Sequence, residues 1–192
     1  MSAYVIGHLT VKDPERWQAY RERVPATLAA WGGEVVLRGR RVALLAGQHG
    51  HTDSVVIRFP DAQAVSAWYG SAEYQALLAL AFDWSGNADR AITSARRAAE
   101  LDPKLAEAYA YLAEAFTDKF RMKEASDALD KAVSVGGKDN PEVLRVHAYY
   151  LESNADYNGA VDAYRRAIEK APERSYLHLS LGHALRALKD YD

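Results

Sequence analysis

Cysteine is absent from the 192 residues, which excludes disulfides, thiolate zinc sites and cysteine nucleophiles together. Long apolar runs are absent too, and no stretch approaches the ~20 residues of a membrane-spanning helix. The opening MSAYVIGHLTVKD lacks the basic segment and long apolar core of a secretory signal. Neither sign of charge dominates: residues 1–80 carry 8 basic and 7 acidic side chains, and residues 81–192 carry 16 and 19, for a net charge of −2. No basic surface for nucleic acid is therefore expected. The chain contains no Gly-x-Ser-x-Gly and no His-Glu-x-x-His, so acyl transfer and zinc-dependent hydrolysis lack their usual motifs. Neither GRRVALLAGQHG nor VGGKDN carries the phosphate-loop pattern. These absences lead us to expect a soluble, cytoplasmic protein with no cofactor, no metal, no nucleic-acid partner and no membrane.

What is present is a rhythm. Alanine stands at 79, 91 and 98, again at 113, 125 and 132, and again at 148, 160 and 167; Gly182 follows Ala148 by 34 residues. A period near 34 with small residues at three fixed phases marks a helix–turn–helix solenoid, in which helix pairs approach closely along one stacked core. Nothing before about residue 72 keeps this period.

The first part follows different rules. AYVIGHLTV at 3–11 has the composition of a strand. Asp13 and Pro14 open a helix whose apolar stripe is Trp17, Tyr20, Val24, Leu28 and Trp31, with Pro25 expected to kink or break it. EVVLRGRRVALLAG and DSVVIRFP read as two strands joined by GQHGHT, with a bulge or bend expected at Gly39. Asp61 caps a short helix over 61–69, and another begins at Ala72. The order is β-α-β-β-α.

GGEVVLRG at 32–39, VVIRFPD at 55–61 and AWYGSAEYQALLAL at 67–80 resemble a ferredoxin-like family of small bacterial proteins, DUF1330. The resemblance implies a dimeric α/β barrel over about residues 1–80. It also implies a fourth strand after the last helix, and no such strand is legible here. The second part resembles tetratricopeptide (TPR) repeats over 72–192. Pro103 and Pro172 set a register of about 72–105, 106–140 and 141–174, with a partial repeat at 175–192. Gly136–Gly137 stands where the second of these repeats would otherwise place its proline. The fold class expected is α+β: a truncated βαββα unit joined to an all-α solenoid through a shared helix over 72–84. A missing strand, a shared helix and an end in mid-repeat together suggest an engineered rigid fusion, the alternative being a natural fusion or a truncated gene.

A barrel interior can hold a small ligand, and the resemblance implies His8, Tyr20 and Arg38 as polar groups facing such a cavity, with Trp68 as wall. Arg38 equally reads as a strand arginine paired with a helix carboxylate. His49-Gly50-His51 is a close histidine pair, but with Asp53 as sole further ligand a solvated loop is the simpler reading. In TPR proteins the inner face of each first helix lines a peptide groove, and the resemblance places there Glu107, Glu114 and Asp118, then Arg145, Tyr149 and Glu152, then His183 and Arg186. The lysine and asparagine set that clamps a C-terminal carboxylate in chaperone-binding members is missing, so basic or mixed peptides would suit this groove.

The function expected is non-enzymatic: a chimeric scaffold that dimerises through residues 1–70 and projects its repeats as a protein-interaction module. The alternative is a small-molecule enzyme or ligand binder, monooxygenase-like, using the barrel cavity.

Overall fold

In the computed structural model, which describes residues 1–191, three strands lead and helices follow. The strands are β1 (Ala3–Leu9), β2 (Glu34–Arg40) and β3 (Asp53–Phe59), antiparallel in the order β1-β3-β2. Helix α1 (Pro14–Leu28) links β1 to β2, and α2 (Ala62–Tyr69) follows β3. Then come α3 (Ala72–Trp84), α4 (Ala88–Leu101), α5 (Ala106–Asp118), α6 (Met122–Ser134), α7 (Pro141–Ser153), α8 (Tyr157–Lys170) and α9 (Ser175–Tyr191). The architecture is α+β, a small antiparallel sheet with a TPR-like solenoid.

Local chemistry explains where the helices begin. Asp13 accepts from the backbone N–H groups of Glu15 and Arg16, Asp61 from Ala64, and Ser71 from Tyr74. Asn87, Asn140 and Asp156 do the same for α4, α7 and α8. Each cap satisfies donors that a helix start leaves unpaired.

Four expectations for the first part are corrected. Pro25 does not break α1, which runs on to Leu28. Proline there frees the carbonyl of Arg21, four residues back, and Arg38 Nη2 donates to that oxygen at 3.2 Å. The partner of Arg38 is thus a helix carbonyl rather than a carboxylate. The bulge lies at Val36, between the pairs Val35↔Ile57 and Leu37↔Val56, rather than at Gly39. And β2 stops at Arg40 instead of continuing through VALLA, because its pairing with β3 ends at Arg40↔Asp53 and residues beyond have no strand to pair with.

The bulge sets the faces of the sheet. Val5, Val35, Val55, Ile57 and Phe59 point toward the core with Val24, Leu28 and Trp68. Ile6, Val56 and Leu37 line up on the other face. There Ile6 is 60% exposed and Leu37 is 53% exposed.

In the solenoid the helices pair as α3–α4, α5–α6 and α7–α8. All nine periodic alanines have 0% exposure, as a tight helix stack requires. Gly182 keeps the phase but is exposed, and a Cβ there would meet nothing within 4 Å. The turn inside each pair uses one left-handed residue: Gly86 (φ 80°), Phe120 (φ 56°) and Ala155 (φ 62°). Gly137 is needed for space, since a Cβ would lie 2.5 Å from the Ala132 carbonyl.

Helix α3 packs against both parts. One continuous core holds Leu28, Ile57, Phe59 and Trp68 from the sheet side, Leu77, Ala79 and Leu80 from α3, and Ala95, Ala98 and Tyr111 from the repeats. No glycine or proline interrupts α3, and its Ala, Leu, Glu and Gln content favours a helix.

Candidate functional site

One side of the solenoid is formed by the first helix of each pair, α3, α5 and α7, together with α9. Its walls are polar where the opposite, packed faces are alanine-rich. Glu114 on α5 and Arg145 on α7 are both buried and form a bidentate pair, Nη1 to Oε1 at 2.7 Å and Nη2 to Oε2 at 2.5 Å. Arg145 Nε also donates to Glu142 at 3.0 Å. Two parallel bonds fix a guanidinium in register as well as in place.

The sheet side contributes a residue to this groove. Arg23 of α1 reaches Glu142 at 2.5 Å and donates to the Tyr176 hydroxyl of α9. Its guanidinium carbon lies 4.8 Å from the Tyr176 ring centroid and 5.7 Å from that of Trp84. Arg174 adds a further bond to Glu142 at 2.9 Å. Burial alone would raise the Glu142 carboxyl, but Arg23 and Arg145 outweigh it and hold the group at about 2. Burial would lower the Arg23 guanidinium, but the Glu142 carboxylate outweighs it and holds the group above its ordinary value.

Beside this network lies a cavity of about 340 Å³ lined by residues of α1, α3, α5, α7, α8 and α9. Trp84 forms one wall and donates its Nε1–H to Glu114 at 3.4 Å. Tyr149 donates to Asp118, and Tyr164 donates to Glu152 at 3.3 Å. Asp83 of α3 is only 5% exposed, and its Oδ1 has no hydrogen-bond partner. Burial first, then the nearby Glu114 and Asp118 carboxylates, push the Asp83 carboxyl up to about 8. Burial also raises Asp118 and Glu152.

Of the groove candidates, the structure brings Glu114, Asp118, Arg145, Tyr149, Glu152 and His183 to this one cavity. Glu107 lies apart and accepts from Asn140 at 2.7 Å. Arg186 is exposed and does not line it. Sequence reasoning missed Asp83, Trp84, Arg23, Glu142 and Tyr176. A signal for Asp83 existed: it precedes Glu114 by the same 31 residues that separate Glu114 from Arg145. No local pattern pointed to Arg23, because its hydrogen-bond partners Glu142 and Tyr176 are over 100 residues away.

Of the four cavity candidates of the sheet side, Tyr20, Arg38 and Trp68 lie near one another on its helix-covered face, and His8 lies apart. Trp68 is a core residue, packed on Phe59 and Tyr74, with Nε1–H donating to Thr27 at 3.0 Å. Tyr20 borders that core and bonds Tyr74. Arg38 serves the Arg21 carbonyl. His8 is exposed on the outer face of the sheet, 3.0 Å from the Ser54 hydroxyl and edge-on to His49. Among the described residues no three His, Asp or Glu side chains come together as a metal site. Nor is any described helix long and apolar enough to cross a membrane.

Comparison with known proteins divides the chain as its architecture does. Residues 2–93 match the family model described as Domain of unknown function (DUF1330). The type IV pilus assembly protein PilF of Pseudomonas aeruginosa is 32% identical over 110 residues, which cover 55% of this chain. The chain spans 42% of the length of that curated relative. A solved structure of Pseudomonas aeruginosa pilF is 28% identical and covers 62% of this chain and 54% of its own, with a TM-score of 0.51. The first TPR of Spaghetti (RPAP3), solved bound to the HSP90 peptide SRMEEVD, is 17% identical, covers 62% of this chain and 96% of its own, and has a TM-score of 0.51. At that identity the likeness is one of fold. The chain is thus a two-part protein, similar to DUF1330 over its N-terminal region and to tetratricopeptide-repeat proteins over the helices that follow.

Proposed function

We propose that this protein is a non-enzymatic scaffold in which a DUF1330-like unit of about residues 1–80 and a TPR array of about residues 72–192 share α3, and that the array receives a peptide in its concave groove. The observation that carries the reading is the groove itself: a polar, aromatic-walled cleft on a fold that holds a peptide in Spaghetti. The sign of the occupant differs. SRMEEVD ends in acidic residues, whereas the cleft here presents carboxylates, so a basic peptide is the complementary ligand.

We further infer that a second copy of the chain covers the outer face of the sheet, where Tyr4, Ile6 and Leu37 are exposed. A three-stranded sheet with one apolar face open to water is an association surface, and a two-fold pair is the commonest closed arrangement. The sharing of α3 by two parts of different architecture supports an engineered fusion, since one continuous helix fixes the angle between parts. Inserting two glycines after Ala79 tests that rigidity. The insertion should broaden the distance distribution in small-angle scattering; an unchanged profile would overturn the shared-helix scaffold.

A further inference from the structure

The groove already contains one cation supplied by the chain itself. Arg23 sits between Glu142, Tyr176 and Trp84, which shows what this wall accepts: positive charge set between a carboxylate and aromatic faces. The neighbouring cavity repeats the chemistry, with Arg16 of α1 at its rim, 5.9 Å from the Trp84 ring centroid. Six carboxylates line it against two arginines. Of those arginines, Arg145 is committed to Glu114 and Glu142. Arg16 is held by Asp13 and by the Trp84 carbonyl. The buried Oδ1 of Asp83 has no donor, although buried polar atoms are rarely left unpaired.

We propose that this cavity is a receptor for a primary ammonium group, which Asp83, Asp118 and Glu152 would receive as acceptors against the wall of Trp84. These acceptors stand on three helices, α3, α5 and α7, so they suit a compact charge with three divergent donors better than a planar guanidinium fork. A lysine side chain of a bound peptide supplies such a group, and so does a free alkyl diamine. The lysine form rests on the peptide-groove reading above; the ammonium site itself does not.

A consequence is pH dependence. Asp83 faces Arg16 from α1, Glu114 and Asp118 from α5, and Arg145 and Tyr149 from α7, while His183 of α9 lines the same cavity. With no ammonium present its carboxyl stays protonated up to about 8. A cation binds the ionised form, so binding releases a proton and tightens as pH rises toward that value.

The test uses the whole chain and calorimetric titration with three probes: acetyl-Ala-Ala-Lys-Ala-Ala-amide, the same peptide with its lysine acetylated, and 1,4-diaminobutane. The lysine peptide should bind more tightly at pH 8.5 than at pH 6. Acetylation or Asp83→Asn should weaken it about tenfold or more, the loss expected of a charge-assisted bond. Asp127→Asn, on the outer surface of α6, should leave it unchanged. Diamine binding that depends on Asp83, without any peptide binding, would uphold the ammonium site and remove the peptide groove. Equal binding of both peptides, insensitive to Asp83→Asn, would keep the groove and overturn the ammonium site. No heat from any probe at millimolar concentration would overturn it as well.

Discussion

Single residues in this chain take on backbone duties that side-chain type alone does not announce. Ala155 occupies the left-handed position that Gly86 fills in the first helix pair, and there a Cβ makes the conformation costly for any residue other than glycine. Ala155→Gly should therefore raise the unfolding free energy by about 1 kcal/mol, read as a higher urea midpoint at unchanged slope. The Pro25–Arg38 pair is another such case. Arg38→Ala leaves the Arg21 carbonyl to water and should cost about 0.5–1 kcal/mol. In a Pro25→Ala background the residue-25 N–H can take that carbonyl, so the cost of losing Arg38 should largely vanish. A double-mutant cycle measures this coupling, and additive costs would refute the role assigned to Arg38.

At the scale of elements, two buried acids pull the pH dependence in opposite directions. Glu142 is held at about 2, below its usual range. Its stabilising contribution is therefore present at neutral pH and is lost as pH falls below the ordinary glutamate value toward 2. Loss of that charge loosens the tie between α1, α7 and α9, and amide exchange in those helices should rise first on acidification. Asp83 is raised to about 8, so its contribution is complete at acid pH and is lost as pH climbs from about 4 to 8. Asp83→Asn cannot ionise, and its melting temperature should fall less than that of the wild type between pH 5 and pH 8.5. Parallel melting curves for the two proteins would show that Asp83 does not titrate as its surroundings dictate.

The molecule as a whole is a stack of helices anchored at one end to a half-covered sheet. Its outer face carries Ile6, Val56 and Leu37 in one row across the three strands. Light scattering at micromolar concentration should give about twice the 21.3 kDa of one chain. Val56→Asp would set an unpaired carboxylate in the middle of that contact and should shift the protein to monomer or aggregate. A wild-type mass of a single chain would exclude the dimer. Val42 and Leu45, beyond β2, are also exposed.

Periodicity and local chemistry were enough, without coordinates, to place the solenoid and the helix starts. Nine alanines at three phases report close packing because only a small side chain fits where helices touch. Asp13, Asp61 and Ser71 report helix starts because their oxygens satisfy backbone donors within three residues. Those signals are local, so they survive in one dimension. Tertiary structure decided the rest. The bulge at Val36 follows from how β2 pairs with β3, and the end of β2 follows from running out of partner. The groove owes its character to Arg23 meeting Glu142 across 119 residues and to Asp83 being buried beside Glu114 and Asp118. Charge in an interior depends on what the folded chain brings within a few ångströms, and spacing along the sequence does not carry that information.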